Sequence, residues 1–292
     1  MPVKRRTHFL MFLLILIWSL DVVAISAAME TINQIFLLCF RYAFALPVVT
    51  LLVFHRREMR KPDKKDIGKL IVSMLFGDVL YFYCEYSALK YLPVGVVTVL
   101  LGFLPAASYL TDSVIEKKKP KWNILLAIAI SIVGLAMVVM EENAKQTNNL
   151  IGYFCCAGCV IVWIIYGYLT RNLHEKYSST SITLYQMSLA VIFTLPIALM
   201  NMPKTLDTKD FMISIIVMGI LSSGVGCLIE VKGLIDLGTT VSGVYLNLLP
   251  VFSAITGMIF LHESMNAMQI IGSVLVVLCG VYINIRIEKS TG

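Results

Sequence analysis

The stretch Phe103-Leu104-Pro105-Ala106-Ala107-Ser108 recurs 145 residues later as Leu248-Leu249-Pro250-Val251-Phe252-Ser253. The same offset pairs single residues in three other apolar segments of the chain: Trp18 with Trp163, Arg41 with Gln186, and Glu85 with Glu230. A constant offset across four segments is typical of an internal duplication. The sequence therefore predicts two related halves, which we place at residues 1–145 and 146–292.

The composition places both halves in a membrane. Of the 292 residues, 58% are apolar and only 14% are charged, and the mean hydropathy is +0.83, which excludes most soluble enzymes. A membrane-crossing helix needs about 20 mainly apolar residues. Ten such spans are predicted, at residues 8–28, 35–54, 67–88, 94–115, 123–140, 150–170, 181–200, 211–235, 239–261 and 266–286. The connections between them are too short for a folded soluble domain.

Each half holds five predicted spans, which is an odd number. The second half therefore enters the membrane upside down relative to the first. The predicted fold class is an all-α membrane protein of ten transmembrane helices with a 5+5 inverted-topology repeat. Because Trp18 has a repeat partner in Trp163, the first span belongs to the repeat, and we expect it to be retained rather than cleaved as a signal peptide.

The basic residues indicate which way the chain crosses. If the N-terminus is cytoplasmic, only Lys90, Lys145, Lys204 and Lys209 fall outside, Arg41 falls within a span, and the other 19 of the 24 lie inside. Such an excess in cytoplasmic loops follows the positive-inside rule. We therefore predict cytoplasmic N- and C-termini and a multi-pass protein of the plasma membrane. No basic face with interleaved aromatics is present, so we expect no nucleic-acid partner.

All seven cysteines fall in predicted spans, and we expect no structural disulfide. Cys156 and Cys159 have the C-x-x-C spacing of metal or redox sites, but the four histidines lie at span ends or in loops. We therefore interpret these cysteines as packing residues. The sequence also lacks a nucleophile with its base and a phosphate-binding glycine loop, so we expect no catalytic residue, no metal and no cofactor.

Several segments make the chain similar to a known family. They are Ala88-Leu89-Lys90-Tyr91, Asn247-Leu248-Leu249-Pro250-Val251-Phe252, Phe260-Leu261-His262-Glu263, Gln269-Ile270-Ile271-Gly272 and Cys279-Gly280-Val281, together with Trp18 and Trp163. With the 5+5 repeat they resemble EamA-type members of the drug/metabolite transporter superfamily. The resemblance implies a transporter; similar proteins move amino acids, amines, choline, sugar phosphates or nucleotide sugars. The chain departs from the family pattern at Asp21, where a neutral residue is more common, and at Glu116-Lys117-Lys118-Lys119, the basic counterpart of the His262-Glu263 turn.

Ionisable residues inside predicted spans are functional candidates, because each is costly in a membrane unless it is paired or hydrated. Asp21 and Arg41 lie at similar depth and are candidates for one ion pair, which would serve either as a clamp between two helices or in substrate binding. Glu85 and Glu230 are repeat partners and are candidates for gating or proton transfer, with Arg41 and Gln186. The alternative for both glutamates is an interfacial carboxylate with water access, and Lys232 could neutralise Glu230.

The third predicted span carries a polar and aromatic face. Asp78, Tyr81, Phe82 and Glu85 follow i, i+3, i+4 and i+7 spacing, so they share one side of a helix. Carboxylates beside aromatic rings are suited to bind an ammonium group by charge and by cation–π contact. The remaining candidates for substrate binding are Trp18, Trp163, Tyr166, Tyr245 and Asn247, whose alternative role is packing within the bundle.

These features predict a secondary transporter that moves a small polar metabolite by alternating access. Four acids against one base within the spans favour a cationic or zwitterionic amino acid, amine or quaternary ammonium compound. The expected partners are this solute and the lipid bilayer, with protons and a second copy of the chain, forming a homodimer, as further candidates. The alternatives are a non-transporting sensor, a membrane-embedded enzyme and, within transport, a lipid-head-group flippase.

Overall fold

The computed structural model describes residues 2–29, 31–115, 117, 119–140, 149–203 and 208–291. In these ranges every regular element is helical, and nine helices are long and apolar enough to cross a membrane, with one shorter apolar helix between the fourth and the fifth of them. In chain order we call them span 1 (Arg5–Ala28), span 2 (Gln34–Arg56), span 3 (Lys64–Leu89), span 4 (Val94–Ile115), span 5 (Trp122–Val138), span 6 (Leu150–His174), span 7 (Ser179–Met200), span 8 (Phe211–Leu237), span 9 (Val241–Phe260) and span 10 (Ala267–Arg286). The predicted all-α, ten-helix fold is confirmed.

Two parts of the sequence-based prediction lie outside the described residues. One is the boundary between the halves, at residues 145 and 146. The other is the position of Lys118, Lys145 and Lys204, which entered the prediction of orientation.

Six spans are continuous helices. Their bounds are Pro2–Ala28, Gln34–Arg56, Trp122–Met140, Asn149–His174, Ser179–Met200 and Ala267–Thr291. Spans 4 and 9 are each broken once, into Val94–Leu101 and Leu104–Ile115, and into Thr239–Leu246 and Leu249–Phe260. Each break lies three residues before a proline, Pro105 or Pro250, and each proline occupies the first turn of the next segment. A proline is tolerated there because the first turn of a helix leaves its N–H groups unpaired in any case.

Spans 3 and 8 each contain a stretch of π-helix, with i→i+5 hydrogen bonds. Span 3 runs through Lys64–Met74, the π segment Leu75–Leu80 and Tyr81–Leu89, and span 8 through Thr208–Ile215, the π segment Ile216–Gly226 and Cys227–Leu237. The offset of 145 places Leu75–Leu80 within Ile216–Gly226, so both halves carry this feature at the same place. π segments are rare and are frequently found at functional sites.

The contacts between the helices follow the duplication. Spans 2 and 7, 4 and 9, and 5 and 10 contact one another as repeat partners, while the contact of span 1 with span 8 matches that of span 6 with span 3. Spans 5 and 10 cross at Gly134 and Gly272, where a Cβ on Gly134 would lie 2.7 Å from the carbonyl oxygen of Gly272. Only glycine allows this approach of two backbones, a common device between membrane helices. The main core surrounds span 2, whose Leu37, Ala45 and Val49 are fully buried.

An even number of spans returns the chain to the side where span 1 begins, which we call the termini side. There the loop between spans 6 and 7 is tied to the start of span 3, because Lys176 Nζ lies 3.0 Å from Asp66 Oδ2 and the Tyr177 hydroxyl donates to the same carboxylate. The hydrogen bond to Asp66 raises the pKa of Lys176 above its usual range. Thr7 Oγ1 also donates to Asp236 at 2.6 Å and joins span 1 to the end of span 8.

On the opposite side, Glu263 holds the start of span 4. Its carboxylate accepts hydrogen bonds from the backbone N–H groups of Val94 at 2.8 Å and of Gly95 at 3.4 Å. These N–H groups begin a helix and have no partner within it, so an acid at this point also complements the helix dipole. The Phe260-Leu261-His262-Glu263 turn therefore connects span 9 to span 4, its repeat partner.

We expect Glu263→Ala to destabilise the protein by about 1 kcal/mol, the usual effect of removing a helix cap. This corresponds to a fall in Tm of about 2–4 °C, measured by thermal unfolding of the detergent-purified protein. Glu175→Ala is the matched control, because Glu175 is an exposed loop acid. Equal melting temperatures for the two variants would show that the cap contributes nothing.

Candidate substrate-binding site

A cavity of about 440 Å³ lies at the centre of the bundle and is lined by every span except span 5. The ends of both π segments and the breaks in spans 4 and 9 border it, through Gly77, Asp78, Gly102 and Asn247 among others. Eleven residues predicted from the sequence as site residues line it: Trp18, Asp21, Arg41, Asp78, Tyr81, Phe82, Glu85, Trp163, Tyr166, Glu230 and Asn247. Tyr245 and Gln186 do not.

Asp21 and Arg41 form the predicted ion pair, with Nη2 of Arg41 2.9 Å from Oδ2 of Asp21 and both side chains at least nine-tenths buried. The guanidinium makes further hydrogen bonds, from Nε to Ser223 Oγ at 2.6 Å, from Nη1 to the Tyr86 hydroxyl at 3.2 Å and from Nη2 to Ser222 Oγ at 3.3 Å. Arg41 therefore joins spans 1, 2, 3 and 8. These contacts describe a clamp at the wall of the cavity.

Asp78 differs from Asp21 in having no ion-pair partner among the described residues. Its Oδ2 is buried without a hydrogen-bond partner there, as is Oδ1 of Asp21. The neighbouring Gly77 packs against the Tyr166 ring so closely that a Cβ there would collide with it, and the Tyr42 hydroxyl donates to the backbone oxygen of Asp78 at 3.2 Å. The backbone of the π segment is therefore packed against spans 2 and 6, while one carboxylate oxygen of Asp78 has no donor among the described residues.

An aromatic wall stands beside Asp78. The ring centroids of Tyr81 and Trp163 are 5.0 Å apart, and those of Trp163 and Tyr166 are 5.2 Å apart. Spans 3 and 6 supply these rings together. Three adjoining aromatic faces near a carboxylate suit an ammonium or a methylated ammonium group.

Asparagines line the other end of the site, where spans 9 and 10 meet. Asn247 lies against Gly280, and Asn284 lies against Gly243, so each amide occupies the space that a glycine leaves on the facing helix. Nδ2 of Asn247 is buried without a hydrogen-bond partner among the described residues, although a buried amide normally has one. This amide can donate to an oxygen of a bound molecule.

Glu85 and Glu230 both line the cavity, as repeat partners on spans 3 and 8. Lys232 does not neutralise Glu230, since Lys232 Nζ pairs with Asp236 Oδ2 at 2.8 Å. Lys232 and Asp236 are four residues apart on one helix, so they lie on the same face and can pair. Glu230 therefore faces the cavity without the lysine that the sequence offered as its partner.

Two predicted site residues lie beside the cavity rather than in its wall. Gln186 is buried and donates to Ser73 Oγ at 2.9 Å, while the Tyr166 hydroxyl lies 3.4 Å from its oxygen. It thus supports a lining residue from behind. The Tyr245 hydroxyl lies 3.0 Å from Nδ1 of His8, near the start of span 1 on the termini side.

Several lining residues were missed in the sequence. They are Tyr42, Thr183, Ser222, Ser223 and Asn284. A search of the spans for charged residues does not identify neutral polar side chains such as those of Tyr42 and Asn284. The reciprocal Gly243–Asn284 and Gly280–Asn247 contacts become visible only when spans 9 and 10 are set side by side.

A bundle of ten apolar spans around a central, charged cavity is the architecture of a membrane transporter. The chain belongs to the EamA-like transporter family, which matches it in two segments, residues 5–140 and 150–286. An uncharacterized transporter of Archaeoglobus fulgidus is 25% identical, with 96% of this chain and 97% of the relative covered. The threonine/homoserine exporter RhtA of Salmonella typhimurium is 22% identical, with 78% of this chain and 74% of the relative covered.

A probable terminal-alkyne amino-acid exporter of Streptantibioticus cattleyicolor is 21% identical, over 74% of this chain and 73% of the relative. A solved crystal structure with 16% sequence identity has the same fold, with a TM-score of 0.67 over 96% of this chain and 98% of that chain. The resemblance to EamA-type proteins is confirmed. The protein is a multi-pass membrane protein of a transporter family, consistent with a place in the plasma membrane, and its partners are a small solute and the bilayer.

Proposed function

We propose that the protein is a secondary transporter that moves a small cationic or zwitterionic metabolite by alternating access. The unpartnered carboxylate oxygen of Asp78, beside three aromatic rings, is the observation that carries the proposal. The acidic and basic residues of the lining are Asp21, Arg41, Asp78, Glu85 and Glu230. Because Arg41 pairs with Asp21, three carboxylates remain to attract a cation.

The polar groups of the site favour a molecule that carries both an ammonium group and an oxygen acceptor. Asp78 with the aromatic wall would hold the ammonium group, and Nδ2 of Asn247 would donate to the oxygen. A volume of about 440 Å³ accommodates a compound of the size of an amino acid or an amine. The names of two relatives, exporters of threonine and homoserine and of a terminal-alkyne amino acid, agree with this class.

The two halves provide the moving parts. Residues 1–145 and 146–292 would exchange conformations, so that the cavity opens first on one side of the membrane and then on the other. Arg41 and its repeat partner Gln186 would hold the wall during this exchange, since both make buried hydrogen bonds between spans.

Counterflow in proteoliposomes tests the proposal. We expect vesicles loaded with an unlabelled amino acid, amine or quaternary ammonium compound to accumulate the same labelled compound, and not to accumulate a labelled sugar phosphate. Protein-free vesicles are the control. If every cationic and zwitterionic compound in the panel fails to exchange, or if only the sugar phosphate exchanges, the substrate class is wrong.

Glu85 and Glu230 are the proposed proton-accepting groups, because each is a cavity-lining carboxylate and they occupy equivalent positions in the two halves. A pH gradient across the same vesicles would then drive net accumulation. Equal accumulation with and without the gradient would exclude coupling to protons.

A further inference from the structure

A second cavity, of about 340 Å³, lies between spans 4 and 6. It is lined by Ser108, Asp112, Trp163, Ile164, Gly167, Tyr168 and Arg171. Since spans 4 and 6 both end on the termini side, and these residues belong to their second halves, the second cavity lies in the half of the bundle toward that side.

Trp163 belongs to both cavities. Its ring contacts Tyr81 and Tyr166 in the central cavity, yet 40% of its surface is exposed, and it also lines the second cavity. One turn further along span 6, Gly167 has nothing within 4 Å of the position where a Cβ would stand. Trp163 therefore borders both cavities, and Gly167 leaves open space in the second one.

The second cavity shares an acid and an aromatic ring with the first, but its charges are balanced. Asp112 provides an exposed carboxylate, which accepts a hydrogen bond from the Tyr168 hydroxyl across the gap between spans 4 and 6. Arg171 lines the same cavity, so one basic group stands beside one acid, whereas the central cavity has an excess of acids. An ammonium group can therefore pass beside Asp112 and the Trp163 ring without meeting a net positive charge.

The same place in the other half is closed. The offset of 145 relates Ser108 to Ser253, Trp163 to Trp18 and Gly167 to Val22, on spans 9 and 1. Here Thr256 Oγ1 donates to the backbone oxygen of Ser19 at 3.3 Å and joins spans 9 and 1. Ser253 is 0% exposed and Val22 is 5% exposed, whereas Ser108 is partly exposed and Gly167 is exposed. The repeat is inverted, so this closed contact lies toward the opposite side of the membrane.

We propose that the second cavity is the vestibule through which the cationic solute passes between the central cavity and the termini side, with Trp163 as the partition between them. In the opposite conformation spans 1 and 9 would part at Trp18, Val22 and Ser253, while spans 4 and 6 would close. The inference rests on the proposed transport function. It adds the route of the solute to that proposal.

Filling the vestibule tests the route. Gly167→Leu would place a side chain in the open space without displacing a neighbour, and Gly68→Leu is the matched control, because Gly68 is also a helical glycine with nothing within 4 Å of a Cβ. We expect Gly167→Leu to reduce counterflow of the solute found in the panel at least 10-fold, with its thermal-shift affinity within about 2-fold of the wild type. Gly68→Leu should match the wild type in both. Counterflow by Gly167→Leu at the wild-type rate would overturn the inference.

Labelling of introduced cysteines gives a readout that needs no solute. We expect a membrane-impermeant methanethiosulfonate bearing a quaternary ammonium group to modify Gly167→Cys from the termini side, above the background of the seven native thiols. Val22→Cys should be modified several-fold more slowly from that side. Equal rates at the two positions, or labelling of Gly167→Cys only from the opposite side, would exclude the vestibule. If labelling follows the expected pattern while no panel compound exchanges in the wild type, the passage stands and the proposed substrate class fails.

Discussion

Replacing Arg41 with methionine is expected to lower the free energy of unfolding by about 3–5 kcal/mol, the usual effect of removing one partner from a buried ion pair. The substitution leaves the Asp21 carboxyl without its ion-pair partner in a site where it is 5% exposed. It also removes the hydrogen bonds from the guanidinium to Ser222, Ser223 and Tyr86. Spans 1, 2, 3 and 8 would lose their common contact. Unfolding in mixed detergent micelles, with a defined unfolded state, measures the change.

The double variant Asp21→Asn/Arg41→Met separates the two causes. It removes the uncompensated carboxylate, so we expect it to recover about half or more of the lost stability, as replacement of whole buried pairs does in other proteins. Arg6→Met is the control for loss of an exposed positive charge. A double variant as unstable as Arg41→Met would show that the hydrogen bonds to spans 3 and 8, rather than charge pairing, provide the stability.

The second large effect is expected at Asp78. Asp78→Asn removes the charge but keeps the size of the side chain, so we expect the apparent affinity for the exchanged cation to fall by about 10- to 100-fold. This matches a charge-assisted hydrogen bond worth about 1.5–3 kcal/mol. The concentration dependence of counterflow in proteoliposomes gives the affinity, and the melting temperature shows whether the variant is folded.

Two further variants sharpen this result. Asp78→Glu keeps the charge and is expected to recover part of the affinity, although its longer chain must fit beside the Tyr166 ring that packs on Gly77. Asp63→Asn is the matched control, since Asp63 is an exposed acid before the start of span 3. Wild-type affinity in folded Asp78→Asn would remove Asp78 from the binding site.

Much of the fold could be predicted from the sequence because its signals are one-dimensional. A run of apolar residues long enough to cross the bilayer is visible in any window of the chain, and a constant offset of 145 reveals the duplication without any structure. The breaks before Pro105 and Pro250 were in part visible too, since proline removes a backbone donor. The π segments were not, because one additional residue in a turn leaves the hydropathy of the segment unchanged.

The candidate site was predictable where charge or symmetry marks a residue. Asp78, Glu85 and Glu230 can be identified because an acid within an apolar span is energetically costly. Trp18 and Trp163 can be identified because they are repeat partners. Asn284 carries no charge, and its asparagine is not matched in the first half, so nothing in the sequence separated it from a packing residue. Tyr245 and Asn247 were both candidates, but two residues along a helix place a side chain on a different face, and of the two only Asn247 lines the cavity.

The sequence by itself determined that this is a ten-span, duplicated membrane protein with acids inside its spans, because hydropathy, periodicity and composition are properties of the chain alone. Only the tertiary structure decided which acid is paired and which is available. Asp21 and Asp78 are both aspartates within apolar spans, but Arg41 of span 2 pairs with Asp21, and Asp78 has no ion-pair partner among the described residues. The difference arises from how spans 1, 2, 3 and 8 pack, because this packing brings the guanidinium of Arg41 to Asp21 while Asp78 lines the cavity without a basic partner.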